Sequence, residues 1–374
     1  MRARGALAEN CTAMVLAAGY GTRLEPLTST RAKAVVPFLN RPLLDYTLDW
    51  LRRCGFTRAV INLHHHADGV RTRYRENQFG IDLHFSVEEP LLGTAGGPRK
   101  VLDCLGARVL IVNGDVATTI APGSLWQHHC ASGALATMAL HAGPGGREYP
   151  GIEIDGAGAV THIPGLGTAP GADRVATSGA DAAAAPSADD AVAGCFTGIH
   201  IVEREVLELV PEDRFCGLVD PIYGRLLEER LPLHGVVVPG SWYEIGTPAR
   251  YLSCQLEALR REDFPLAFKG YRRIAPGGYV RAPVGRSRAG MRPPFMLDQQ
   301  VELEEASLIE GVIAGKRAYV GYGATVRDSV LMKRAWIGTG AHVERCIVLE
   351  DAVVPAGARR VDEVIAPEAV GQTG

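Results

Sequence analysis

The chain has no long apolar run. None of its 374 residues falls in a stretch near the roughly 18 consecutive apolar residues that a membrane-spanning helix needs, so no membrane partner is expected. It also has no charge excess: 39 basic against 42 acidic residues give a net charge of −3, with no global reason to expect nucleic acid. Eight cysteines are scattered without a single CxxC pair, which argues against structural zinc and for reduced thiols. The opening MRARGALAEN lacks the apolar core of a secretory signal, and the expected compartment is the cytoplasm. His64-His65-His66 would place neighbouring side chains on opposite faces of a strand, so they read as solvated or capping residues.

What is present alternates. AMVLA (13–17), RAVINL (58–63), IDLHFSV (81–87) and ARVLIVN (107–113) read as strands, with helical spacing over 41–54 and 93–105 between them. This is the grammar of an α/β fold with a mostly parallel, Rossmann-like sheet, whose ligands bind beyond the carboxyl ends of strands. The pattern resumes after 194 with a strand (195–202), a helix (219–231), a strand (233–238) and a closing helix (247–262) capped by Thr247. Residues 165–193, rich in Ala, Gly, Asp and Pro, cannot bury much surface and are expected as a flexible insertion.

Residues 264–300 are dense in Pro, Gly and Arg and read as a linker. Beyond it, YVGYGATVRDSVLMKRA (319–335), WIGTGAHVERCIVLEDA (336–352) and 353–367 repeat one another. Their aliphatics recur in steps of six and five, at Val320, Val326, Leu331, Ile337, Val343, Val348 and Val354, with a weaker turn at Leu303, Ile309 and Ile313. That period predicts a short left-handed parallel β-helix of hexapeptide repeats over 301–367.

The first strand runs into Ala18-Gly19-Tyr20-Gly21-Thr22-Arg23. Glycines let a backbone turn and present its N–H groups to an anion. Two familiar phosphate motifs fail here: no lysine follows the second glycine as in GxxxxGK[ST], and position 24 is Leu where GxGxxG wants glycine. Arg23 and Lys33 strengthen the reading, since a guanidinium fork and a point charge near one loop suit a triphosphate.

LAAGYGTRLEPLTSTRAKAVVPFLNRPLLDY (16–46) resembles the signature of the sugar-1-phosphate nucleotidyltransferases, or nucleotide-sugar pyrophosphorylases. LLGTAGG (91–97), VNGDV (112–116) and WYEIGTPARYL (242–252) resemble further motifs of that family in its order. In domain plan the chain is most like the mannose-1-phosphate guanylyltransferases, with a catalytic domain over 11–263 followed by the linker and coil. The resemblance implies that Leu16, Ala17, Ala18, Gly19, Gly21, Thr22, Arg23, Gly93, Thr94, Ala95 and Gly96 meet the nucleotide. It implies sugar contacts at Gly114, Gly151, Thr197 and Gly198, catalytic roles for Arg23, Lys33 and Asp115, and Mg²⁺ held by Asp115 and Glu244. The implied substrates are a nucleoside triphosphate and a sugar 1-phosphate, and the coil implies a homo-oligomer.

Three departures stand out. Ala32 replaces the proline that usually precedes the signature lysine, and Glu244 replaces an aspartate. The E-K-P motif of the sugar side is not visible after GIEIDGAGAVTHI (151–163); Arg147 and Arg174 are the basic candidates nearby. Uridylyl or thymidylyl transfer to another sugar phosphate, amino-sugar phosphates included, and a non-catalytic nucleotide-sugar-binding homologue are the alternatives.

Overall fold

A computed structural model describes residues 2–75, 79–143, 149–168, 192–286 and 289–368. Arg147, Arg174 and most of the expected insertion, 169–191, lie outside them. The chain divides into two units, one of 1–20 with 47–243 and the other of 21–46 with 244–374.

The first unit is built on β1 (Thr12–Leu16), β2 (Arg58–Leu63), β3 (Asp82–Val87) and β4 (Arg108–Asn113), all parallel. β1 sits between β2 and β4, buried at Ala13, Met14 and Val15, as expected of a strand covered on both faces. β5 (Ala136–His141) and β6 (Val192–Glu203) extend the sheet, β6 running antiparallel to both β4 and β5, and β7 (Leu233–Val237) pairs parallel to β5. The register sets Leu16 beside Asn62 on one side and Asn113 on the other, so three strands end level.

Helix α1 (Leu43–Arg53) follows the helical spacing of its sequence. Helix α2 (Gly93–Lys100) does not: GTAGGPRK is a poor helix former, and outside contacts hold it in place. Cys216 O accepts from the N–H groups of Ala95 (2.9 Å) and Gly96 (3.3 Å), and Thr94 Oγ1 accepts from Leu218 N–H (2.8 Å).

In the second unit helix α3 (Pro248–Arg261) starts as expected, Thr247 Oγ1 accepting from Arg250 N–H at 3.3 Å. It packs on strands 290–297, 308–314 and 325–331 of a parallel coil. Tyr319 pairs with Trp336 and Trp336 with Val353, steps of 17 residues. Every predicted inward aliphatic, from Leu303 to Val354, is buried. Left-handed corners recur at the same interval, at Gln300, Arg317, Arg334 and Asp351 and again at Asp328, Arg345 and Asp362.

The structure differs over 264–300, expected as a linker. Gly278–Val280 and Gly290–Leu297 pair parallel with one another, and Gly290–Leu297 pairs with the coil strand Leu308–Ala314. Val284–Arg286 pairs with Val301–Leu303. Tyr279, Val280, Phe295, Met296 and Leu297 fill the interior while Arg292 and Pro293 stay outside, so a rung hides under a polar composition. The eight cysteines form no disulfide. Among the described residues no helix is long and apolar enough to cross a membrane.

One buried pair is expected to make the first unit acid-sensitive. His200, on β6, shares a hydrogen bond at Nδ1 with the Tyr223 hydroxyl (2.5 Å), and burial lowers its pKa to about 3. The unfolded chain's histidine binds a proton below about pH 6.5, so between these values the unfolded state holds more protons. Stability is therefore expected to fall as pH drops from about 6.5 toward 3. Melting temperatures recorded across that range should decline less steeply in His200→Gln than in the parent; equal slopes would exclude His200 as the source.

Candidate functional site

In the first unit the level strand ends bring several predicted residues together. Gly114 N–H donates to Leu16 O (2.8 Å), which joins the start of the glycine loop to VNGDV. A Cβ at Gly114 would stand 3.0 Å from both Leu16 O and Ala17 Cβ, so the two loops touch because this residue has no side chain. Asp115 follows directly. Gly198, at φ 74°, lies against the Asn113 side chain on the neighbouring strand.

Other predicted residues are engaged elsewhere. Thr197 is buried and its hydroxyl donates to Ala139 O (2.8 Å), while its carbonyl accepts from the Trp242 indole (2.9 Å). Its side chain acts as a brace. The Ala95 and Gly96 N–H groups, expected to face the base, are given to Cys216 O. Gly151, just before the strand Ile152–Ile154, sits beside Ala193 of β6.

A connector that the motifs did not reveal lies beneath these loops. Ala17 N–H donates to Asn62 Oδ1 (2.8 Å), Asn62 Nδ2 donates to Glu88 Oε1 (2.7 Å), and Leu92 N–H donates to Glu88 Oε2 (2.8 Å). Glu88 is 1% exposed and Asn62 2%. A buried carboxylate is tolerated only when its oxygens are bonded, and here the bonds tie the glycine loop to the segment that opens α2. Asn62 is the last residue but one of a buried strand and Glu88 directly follows β3, a polar residue near each strand end being the one sequence clue. The histidine triplet borders the same place: His64 contacts Glu88 O (2.8 Å) and the Tyr20 hydroxyl (3.0 Å). His66, at φ 54°, starts the next helix.

In the second unit the predicted cations converge on one carboxylate. Arg23 Nη2 and Lys33 Nζ each lie 3.9 Å from Glu244 Oε1. Lys33 and Glu244 keep 13% and 14% of their side chains exposed, whereas Arg23 keeps 73% and can swing. A Cβ at Gly246 would stand 2.6 Å from the same oxygen, so the glycine of EIGTP makes room for the longer glutamate. Gly21, at φ 71°, needs glycine for its backbone, and Thr28 Oγ1 bonds its carbonyl (2.9 Å). At Gly19 a Cβ would meet no protein atom within 4 Å. Packing does not require a glycine there.

The metal donor set is short. Among the described residues no three His, Cys, Asp or Glu side chains cluster as a metal cage. Asp115 belongs to the first unit and Glu244 to the second, and each is a carboxylate of the kind that suits a hard divalent ion.

A parallel sheet with a glycine loop and a carboxylate at level strand ends, followed by a cationic arm, defines a nucleotide-handling α/β protein. The chain belongs to the nucleotidyl transferase family, which residues 12–261 match. Residues 287–363 match the GlmU-like C-terminal hexapeptide family. A UTP–glucose-1-phosphate uridylyltransferase of Synechocystis is 25% identical over 85% of this chain and 82% of its own. A mannose-1-phosphate guanylyltransferase of Mycobacterium tuberculosis is 25% identical over 85% and 79%, and a mannose-1-phosphate guanyltransferase of Pichia angusta 26% over 71% and 70%.

Replacing Asn62 with alanine is expected to destabilise the chain by about 2–3 kcal/mol, because Glu88 stays buried with a lost donor. The urea midpoint measures this. Asn62→Ala together with Glu88→Gln should recover part of the loss, and a single variant at the parent midpoint would show that the connector carries no stability.

Proposed function

We propose that the protein transfers a nucleotidyl group from a nucleoside triphosphate to a sugar 1-phosphate, releasing pyrophosphate and forming a nucleotide-sugar. The observation that carries this reading is the convergence of Arg23 and Lys33 on Glu244, on the arm that follows the glycine loop. A phosphate oxygen of the sugar 1-phosphate attacks the α-phosphorus, and the bond to the bridging oxygen of the β-phosphate breaks, pyrophosphate leaving with the electron pair. The nucleophile is already an anion, so the reaction needs positioning and charge neutralisation more than a general base.

In this reading the loop at Gly19 and Gly21 admits the triphosphate, Arg23 screens its β- and γ-phosphates, and Lys33 neutralises charge at the α-phosphate. Glu244 keeps both cations in place until phosphate oxygens replace it as their partner. Leu16, Ala17, Ala18, Thr22, Gly93 and Thr94 line the nucleotide, with Ala95 and Gly96 holding that segment to Cys216 O, and Gly114, Gly151 and Gly198 belong to the sugar half, braced by Thr197. Asp115 and Glu244 would hold Mg²⁺, which when bound supplies Lewis-acid stabilisation of phosphate charge.

GTP and mannose 1-phosphate are the favoured pair, supported by the relatives from Mycobacterium tuberculosis and Pichia angusta. The Synechocystis relative supports a second reading, uridylyl transfer. A reducing cytoplasmic setting suits eight cysteines without a disulfide.

Pyrophosphate release from five nucleoside triphosphates against a panel of sugar 1-phosphates, with Mg²⁺, tests the reading. Lys33→Ala and Asp115→Ala are expected to lower kcat/KM by about 10²–10³. Gly19→Ala is expected to raise KM for the triphosphate while the melting temperature stays put. No turnover with any pair, alongside tight nucleotide-sugar binding, would favour a non-catalytic homologue.

Self-association through the coil is the companion reading. Tyr319 and Trp336 stack with ring centroids 3.8 Å apart, and Trp336 (47% exposed) and Val353 (57%) continue an outward apolar ladder. Light scattering is expected to give a multiple of the 39.9 kDa chain mass for the parent and the chain mass for Trp336→Glu; a monomeric parent rejects the association.

A further inference from the structure

Up to Leu43, where α1 begins, the arm 21–46 has little structure of its own. It consists of 3₁₀ turns at Thr22–Leu24 and Lys33–Val35 and two-residue strands at Pro37–Phe38 and Arg41–Pro42. Such a segment takes its position from what it touches.

Its far end is fastened to α3 and the coil. Leu39 N–H donates to Gln255 Oε1 (2.7 Å), the Tyr251 hydroxyl donates to Pro37 O (2.7 Å), and Arg41 Nη2 donates to Lys269 O (2.8 Å). Asn40 Nδ2 donates to Ala314 O (3.1 Å), on a coil strand. The middle is fastened separately. Arg31, two residues before Lys33, places Nη2 2.6 Å from Glu350 Oε2 on a late rung of the coil. The other Glu350 oxygen faces Lys333 Nζ (3.2 Å) and Arg334 Nη2 (3.4 Å), cations of the rung below. Partial burial opposes its charge, but Arg31 and then Lys333 outweigh burial and hold the carboxyl below its ordinary pKa. Glu350 is therefore a fixed anion, and Arg31 is drawn to it across 319 residues of sequence.

We propose that the hexapeptide coil sets the working position of the arm bearing Arg23 and Lys33, with Glu350 and Arg31 as the positioning pair. The coil then serves the chemistry directly, in addition to any part in assembly. The inference rests on the nucleotidyl-transfer reading. A partly exposed ion pair adds little global stability, so its loss should show as a misplaced arm in a chain that still folds.

Hydrogen–deuterium exchange and steady-state kinetics on the full chain test this together. Glu350→Gln and Arg31→Met are expected to speed exchange over residues 24–36 about fivefold and lower kcat about tenfold, with KM changed less than about threefold. Arg31→Lys keeps the pair and should match the parent. So should Asp351→Asn, which removes a neighbouring carboxylate that binds Arg334. Parental exchange in Glu350→Gln overturns the proposal, as does faster exchange with parental kcat, which would make the contact merely structural. Equal losses in Asp351→Asn and Glu350→Gln also overturn it, pointing to general loosening of the coil. A parent without turnover on any pair defeats the nucleotidyl-transfer reading and the catalytic role together, and the exchange data alone then decide whether Glu350 holds the arm.

Discussion

A carboxylate sealed from solvent has to be answered by donors, and in this chain Glu88 is answered by the Asn62 amide and the Leu92 N–H. Much of the first unit's functional geometry depends on that constraint. Asn62 spends its own oxygen on Ala17 N–H, so two loops that begin 75 residues apart, at 17 and 92, share one rigid connector. The connector lies at the level ends of β1, β2 and β4. A cluster of glycines alone would leave the loop free to wander; the buried acid gives it an address.

The parallel strands and the coil were legible because each has a period. Val15, Ile61 and Val112 sit in unbroken apolar runs and share one register, and Val320, Ile337 and Val354 repeat at the coil's own interval. Arg23 and Lys33 were legible as a pair because their chemistry is shared. Cys216 was not: its role is carried by a backbone carbonyl, and any residue type can supply one. Glu88 was hidden by its neighbour Glu89, since two adjacent acids read as an exposed turn. Rungs within 272–297 were hidden because a coil strand turns only a few side chains inward, leaving Arg and Pro to dominate the composition.

Charged groups are held in two ways. Deep in the first unit, burial favours the neutral form at His200 and calls for hydrogen-bond donors at Glu88. In the second, partly exposed carboxylates each face several cations: Glu244 faces two and Glu350 three. A buried carboxylate bonded by an amide and a backbone N–H suits a part that must not move.

The rung spacing of the coil has a consequence for how the gene can vary. Ala314 pairs with Leu331 and Leu331 with Val348, so the two anchors of the arm, Ala314 and Glu350, stand two rungs apart, or about 10 Å at the usual strand spacing. Inserting or deleting one 17-residue unit between them would preserve every inward aliphatic and every corner, and the coil would still stack. It would nonetheless shift one anchor by about 5 Å against the other. Between these anchors, the number of coils acts as a ruler.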